Sequence, residues 1–168
     1  AKTFRYQDDC IALNDNGVFA QHFHLIYPPE MVLKCTYISK AVCTFLDLRI
    51  SVYRGKFRYT SFDKRKDFSF DIVKYPDLSG NIPLKPSYGV YTSQLVRYCD
   101  INQSSSGFVS DVKDMTSCFL NQNFVFKTIK ELYSSFCSKY LYRWVKFGVD
   151  VASNEVISKI FPIRALNF

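Results

Sequence analysis

Asp8 and Asp9 are adjacent carboxylates set between short apolar runs, with Phe4 and Tyr6 before them and Cys10, Ile11, Ala12 and Leu13 after. Along a strand, neighbouring side chains point to opposite faces, so successive acids converge only at a turn. The apolar flanks predict strand, tight turn, strand, with both acids at the turn. Such a pair suits a hard divalent cation, Mg²⁺ or Mn²⁺, which takes oxygen ligands and completes its shell with water and substrate phosphates. Two such ions about 3.5–4 Å apart activate an attacking 3′-hydroxyl and stabilise a leaving pyrophosphate in nucleotidyl transfer. They demand several carboxylates at one spot, so a third is expected from elsewhere. The plain alternative is a solvated, Asp-rich hairpin turn, and Tyr6-Gln7-Asp8-Asp9 alone leaves both open.

The elements around this turn divide the chain into a β-rich part and a helical part. Phe19 to Ile26 is a short helix candidate, and Tyr27-Pro28-Pro29-Glu30 is expected to be extended and non-helical. Met31 to Thr36 is a short strand candidate. Alternation from Phe45 to Val52, a Gly-containing turn at Tyr53-Arg54-Gly55-Lys56, and renewed alternation from Phe57 to Phe62 predict a hairpin. Lys74 to Pro86 holds three prolines and a Gly-Asn pair, an ordered connector and the best domain boundary. From Ser87 the period becomes helical. Tyr88, Tyr91, Leu95, Tyr98 and Cys99 share one face; Phe108, Val112, Met115 and Phe119 a second; Phe126, Ile129, Tyr133, Phe136 and Tyr140 a third. Ser104-Ser105-Ser106 offers caps for the middle helix, and Asn121-Gln122-Asn123 a turn before the last. The expectation is an α+β chain: a β-hairpin-rich region over 1–83, a three-helix bundle over 84–146, and an unassigned tail over 147–168.

The composition permits a packed core. Of 168 residues, 48% are hydrophobic, and 16 Phe with 12 Tyr make an aromatic excess. That excludes a disordered chain. The net charge of +7 fits a polyanionic partner without requiring one. Six cysteines (Cys10, Cys35, Cys43, Cys99, Cys118 and Cys137) show no CxxC pair and no zinc spacing, so buried free thiols are expected. His22 and His24 lack a further ligand nearby, which argues against a metal site. With no signal peptide and no apolar run long enough for a bilayer, an intracellular chain without membrane contact is the expectation, nucleus or cytoplasm unresolved. The opening Ala1-Lys2-Thr3-Phe4 already has strand character, which predicts a preceding segment.

Arg5-Tyr6-Gln7-Asp8-Asp9 and the apolar residues after it resemble motif C of reverse transcriptases. Phe45-Leu46-Asp47-Leu48-Arg49-Ile50 is similar to the segment that follows the catalytic palm in retroelement polymerases, Penelope-like and related animal elements above all. Gly80 to Tyr91 and Ser93 to Tyr98 resemble the region beyond the palm in the same elements. The resemblance covers residues 4 to 145. It implies an RNA-directed DNA polymerase that extends a DNA primer on an RNA template with deoxynucleoside triphosphates. Asp8 and Asp9 would ligate the metal, Asp8 being the more essential, and Tyr6 would lie beside the primer terminus or incoming nucleotide. Residues 1–83 would be the C-terminal part of the palm, and the hairpin from Phe45 to Phe62 would cover the primer grip, with Phe45, Leu46 and Asp47 as its named residues. Residues 84–146 would be the thumb. The third carboxylate, the nucleotide-sensing segment and the fingers would lie upstream in the same polyprotein, so this stretch is expected not to polymerise alone. Gln7 stands where the motif usually carries a small or apolar residue. The polar run Asn102 to Gly107 is unusual for the family's helix connection and admits a degenerate copy.

Within that resemblance, Lys64, Arg65 and Lys66 become phosphate contacts, and Gln94, Arg97 and Tyr98 with Tyr91 a basic-aromatic stripe that positions a duplex without reading its sequence. In isolation, a three-residue basic run is a solvated turn, and Tyr88, Tyr91 and Tyr98 pack against neighbouring helices. Lys139, Tyr140, Arg143, Trp144 and Lys146 form a second basic-aromatic cluster, with Trp144 expected to be buried. Two further readings stand beside the polymerase: a non-catalytic, basic nucleic-acid-binding relic of a retroelement, and a metal nuclease using Asp8, Asp9 and a lysine.

Overall fold

The computed structural model describes residues 2–35, 39, 41–70 and 72–162. The chain is mixed α+β, with two small antiparallel sheets and six α-helices among the described residues. It divides into two compact units, one ending at Arg58 and the other starting at Tyr59. The boundary read from the prolines, 83/84, coincides with the start of the first long helix.

In the first unit, β1 (Lys2–Tyr6) and β2 (Asp9–Leu13) pair antiparallel, with Lys2 opposite Leu13 and Tyr6 opposite Asp9. That register leaves Gln7 and Asp8 as the whole connection. Gln7 has φ 51°, and Asp8 does not share the positive region. A positive φ at a central hairpin residue suits the twist of the flanking strands and usually recruits Gly. Beyond β2, the Asp15 carboxylate accepts from Phe19 N at 2.9 and 3.0 Å and caps α1 (Val18–His22), which runs on as a 3₁₀ turn at Phe23–Leu25. The helix expected near Phe19–Ile26 is therefore present.

Two sequence expectations in this unit give way. Tyr27 to Glu30 is not extended: Met31 N donates to Pro28 O at 3.0 Å, closing a tight turn in which Pro29 supplies the φ that its second position needs. Met31 to Cys35 forms no strand, because Met31, Val32 and Leu33 are exposed and have no face to bury. Thr36, the last residue of that candidate, lies outside the described residues.

The second sheet has the order β3 (Val42–Phe45), β4 (Leu48–Tyr53), β5 (Lys56–Ser61), and the chain enters the second unit within β5. Phe45 pairs with Leu48, so the run read as one strand from Phe45 to Val52 breaks at Leu46-Asp47, with Leu46 at φ 54°. Leu46 continues the alternation of Leu48, Ile50 and Val52 backwards, and that hides the turn. The next turn is as expected: Arg54 and Gly55, at φ 49° and 71°, have the two positive values of a type I′ hairpin.

The second unit is helical. α2 (Leu84–Ile101), α3 (Ser105–Asn121) and α4 (Phe126–Lys139) bury the faces that their periodicity selects: Tyr91, Leu95, Tyr98 and Cys99; Phe108, Val112, Met115 and Phe119; Ile129, Tyr133 and Phe136. Phe126 is exposed, and Phe124 takes its place, stacked edge-on against Phe119 with centroids 4.6 Å apart. Three buried side chains of this core find partners for their polar atoms, whereas Gln122 Oε1 at the end of α3 is buried without one among the described residues. Tyr91 Oη meets Thr116 Oγ1 at 2.8 Å, Tyr133 Oη donates to Val151 O at 2.8 Å, and Trp144 Nε1 donates to Cys137 O at 3.0 Å. Leaving such a group unpaired costs about 1–3 kcal/mol.

The tail that carried no assignment is part of this core. After α5 (Leu141–Trp144) the chain turns through Gly148 into α6 (Asn154–Ile160), capped by Ser153, and buries Val151, Val156, Ile160 and Phe161. Of the six thiols, Cys99 and Cys137 are buried, Cys10 and Cys43 half-buried, and Cys35 and Cys118 exposed. Burial as a rule therefore fails for Cys35 and Cys118. Cys118 sits on α3 away from its core face, and Cys35 in the strandless Met31–Cys35 segment. Burial pushes the Cys99 thiol up to about 12 and Cys137 up to about 11. No helix among the described residues is long and apolar enough to cross a membrane.

Candidate functional site

The acidic turn is the tip of the β1–β2 hairpin. Asp8 is the second residue of the connection, and Asp9 opens β2 opposite Tyr6. All three side chains are exposed. Neither carboxylate accepts a hydrogen bond or an ion pair among the described residues, so their lone pairs face solvent. Mg²⁺ is commonly held by one or two carboxylates with water and phosphates filling the octahedron, a donor set that Asp8 and Asp9 fit. No cluster of three acidic, imidazole or thiol groups able to hold a metal occurs among the described residues.

Arg5 and Tyr27, which sequence reasoning missed, brace this turn. Arg5 Nε donates to Gln7 O at 2.6 Å and a guanidinium nitrogen reaches Tyr27 Oη at 3.3 Å. The guanidinium also lies 5.0 Å from the Tyr27 ring centroid, and Tyr27 stacks on Phe23 with centroids 4.6 Å apart. A charge-assisted bond to the carbonyl of the residue with positive φ holds the tip in its strained form. Arg5 stands inside the motif, but nothing in the sequence links it to a tyrosine 22 residues on.

Of the residues carried over as a primer grip, half-buried Phe45 ends β3, while Leu46 and Asp47 form the two-residue turn before β4. The residues read as phosphate contacts belong to the second unit. Lys64, Arg65 and Lys66 lie in a 3₁₀ turn capped by Asp63. Lys64 is exposed; Lys66 pairs with Asp114 at 3.2 Å, and Arg65 forks onto Asp63 at 2.7 and 2.8 Å. Lys74 adds a second cation to Asp63 at 3.3 Å and donates to Tyr98 Oη at 3.2 Å, which in turn meets Tyr75 Oη at 3.3 Å. The Arg65 hydrogen bond, aided by the Lys74 charge and opposed by burial, holds the Asp63 carboxyl well below the usual carboxylate range. Tyr98 is buried inside this network, Gln94 is half-buried and Arg97 exposed. Tyr88 and Tyr91 pack as well, Tyr88 accepting from Val125 N at 3.1 Å. In the second cluster, Arg143 pairs with Asp100 at 2.7 Å, and Trp144 is buried.

Comparison with known proteins finds no matching family model, no significantly similar curated protein and no significantly similar solved structure.

The polar connection between α2 and α3 has a structural account. Asn102 is buried; its amide donates to Tyr98 O at 3.0 Å and to Asp111 Oδ2 at 2.7 Å, and Asp111 Oδ1 accepts from Ser61 at 2.8 Å. Gln103 Oε1 accepts from Tyr59 N at 3.1 Å, and Ser104 caps α3 by accepting from Gly107 N at 3.2 Å. These polar side chains satisfy a helix start and bind it to the strand before it, which is what a sound connection requires.

Proposed function

We propose that this chain supplies the metal-binding turn and the following helical region of an RNA-directed DNA polymerase of a retroelement. In this reading, residues 1–83 are the C-terminal part of a palm and residues 84–146 are a thumb. The observation that carries it is the Tyr6–Asp9 hairpin, with exposed, unpartnered carboxylates on Asp8 in its strained two-residue tip and on Asp9 where β2 begins. Bound Mg²⁺ or Mn²⁺ would activate the primer 3′-hydroxyl and stabilise the departing pyrophosphate. Asp8 and Asp9 hold the ion, Arg5 fixes the tip, and Tyr6 presents an exposed ring beside the acids for the primer terminus or incoming deoxynucleotide. The turn of Phe45, Leu46 and Asp47 keeps the primer end aligned, since misplacement by an ångström costs orders of magnitude in rate. A third carboxylate and the nucleotide pocket come from a preceding segment of the same polyprotein.

The test is primer extension on an RNA template by a chain lengthened upstream, with Asp8→Asn as its partner. Extension should require Mg²⁺ or Mn²⁺ and fall by several orders of magnitude in the variant. Equal extension by both chains ends the reading. Duplex binding that persists in Asp8→Asn while no chain extends a primer favours the non-catalytic binding module instead.

A further inference from the structure

The helical unit holds a cleft of about 410 Å³ between α4, α5, the loop after Gly148 and α6, with no part in the chemistry proposed for the acidic turn. That volume is within the usual range of small-molecule sites, about 300–1,000 Å³, and exceeds the roughly 150 Å³ of an apolar cavity that holds one benzene. The floor of the cleft is apolar, made by the buried side chains of Trp144 and Cys137. Exposed Leu141 and half-buried Ile157 flank it. Leu141 thus leaves apolar surface in water that an occupant would cover.

The side-chain donors of this lining are already spent. Tyr133 Oη donates to Val151 O and Trp144 Nε1 to Cys137 O. Ser134 Oγ donates to Lys130 O at 3.1 Å, and Ser138 Oγ to Ser134 O at 3.2 Å. A hydroxyl has one proton to give, so the two exposed serines keep only lone pairs to offer. Asp150 is the one charged residue of the lining. Ala152 N donates to Asp150 Oδ1 at 2.9 Å and fixes the carboxylate, while Oδ2 accepts nothing and Asp150 forms no ion pair among the described residues. The cleft therefore presents acceptors and one negative charge beside an aromatic floor, and its only unspent side-chain donor is the weak thiol of Cys137.

We propose that this cleft binds a small organic ammonium, an amine with a one-ring apolar body. The body covers Trp144 between Leu141 and Ile157, and the N–H groups meet Asp150 Oδ2 and the serine oxygens. An ammonium has donors, no acceptor and a positive charge, the complement of this lining. Its bond to a carboxylate is charge-assisted, and a cation near an indole face gains further attraction. An anion would meet the Asp150 charge with no strong donor to accept from. Because the site joins α4, α5 and α6, occupancy stabilises the helical unit. The inference rests neither on the polymerase reading nor on a metal at Asp8 and Asp9.

The experiment is titration of the 168-residue chain with 2-phenylethylamine, charged at pH 7, in EDTA. Trp144 is the only tryptophan and lines the cleft, so its emission reads occupancy directly. The emission should shift saturably with a Kd at or below about 1 mM, and 2-phenylethanol should bind about three- to tenfold more weakly. Phenylacetate should bind more weakly still. Asp150→Asn, which keeps Oδ1 for Ala152 N, should weaken the amine by about three- to tenfold and leave the alcohol unchanged. Glu131→Gln removes an equal charge from α4 outside the lining and should leave both ligands within about twofold of the parent. Ser138→Phe, at an exposed helix position, should block both. No saturable shift by about 10 mM amine, equal binding of amine and alcohol, or a loss in Asp150→Asn no larger than in Glu131→Gln overturns the proposal. If Asp150→Asn does not fold, the order of amine, alcohol and phenylacetate on the parent chain, with Ser138→Phe, carries the decision. Primer extension is not read in this assay, so its failure leaves the result intact.

Discussion

A β-carbon added to Gly107 would stand 2.5 Å from Oδ1 of Asn102, so the start of α3 and the end of α2 meet at a point that admits only glycine. Asn102 cannot swing aside freely, because its amide nitrogen is held by Tyr98 O and Asp111 Oδ2. Gly107→Ala should therefore destabilise the chain by about 1–3 kcal/mol, although alanine is the better helix former by about 1 kcal/mol. A urea midpoint at or above that of the parent would show that Asn102 yields.

Asp63 gives stability a defined acid limb. Its folded carboxyl titrates below the unfolded value near 3.9, so the stabilisation is complete above that value and is lost as pH falls through and below it. Asp63→Asn should lower stability by about 1–2 kcal/mol at pH 7, leaving Arg65 and Lys74 without their carboxylate. The gap between variant and parent should close as pH drops from about 4 toward 2. Urea unfolding followed across that range checks it, and a constant gap counts against the pairing.

The thiols should separate by reactivity. Cys35 and Cys118 are exposed and should alkylate first, Cys10 and Cys43 more slowly, and Cys99 and Cys137 only after unfolding, since their burial keeps them protonated at pH 8. Peptide mapping of iodoacetamide adducts over time reads the order directly. Early labelling of Cys99 would mean that the α2 core face opens.

Gln7→Gly should relax the acidic tip. Glycine adopts φ 51° without the cost of about 1–2 kcal/mol that a left-handed conformation imposes on a side-chain-bearing residue, offset in part by its greater unfolded freedom. A net gain of about 0.5–1 kcal/mol should appear as slower amide exchange across β1 and β2. Faster exchange would show that Arg5 at the Gln7 carbonyl does not hold the turn as described.

The tail is tested by Ile160→Ala. Ile160 is 2% exposed, so the cavity should cost about 2–5 kcal/mol, as in any well-packed core. A loss under 0.5 kcal/mol, the range of surface substitutions, would detach α6 from the helical unit.

Short-range pattern alone determined much of this protein. Apolar flanks around Asp8 and Asp9 specified a hairpin; Arg54-Gly55 specified the turn between β4 and β5; and the three- and four-residue spacings of α2, α3 and α4 selected nearly every side chain that is buried there, because a helix or strand has one face to hide and repeats it at a fixed period. Where the period persists across a break, pattern misleads, as with Leu46 at the β3–β4 turn. Where it holds but finds no partner, nothing forms, as in Met31 to Cys35. Only the tertiary structure decided which charges and hydroxyls face one another: Arg5 on Tyr27, Lys74 between Asp63 and Tyr98, Asn102 against Gly107. It also decided that α6 completes the helical core and that the polar run after α2 is a sealed junction. A hydrogen bond or a packed ring depends on ångström-scale placement that no local periodicity encodes.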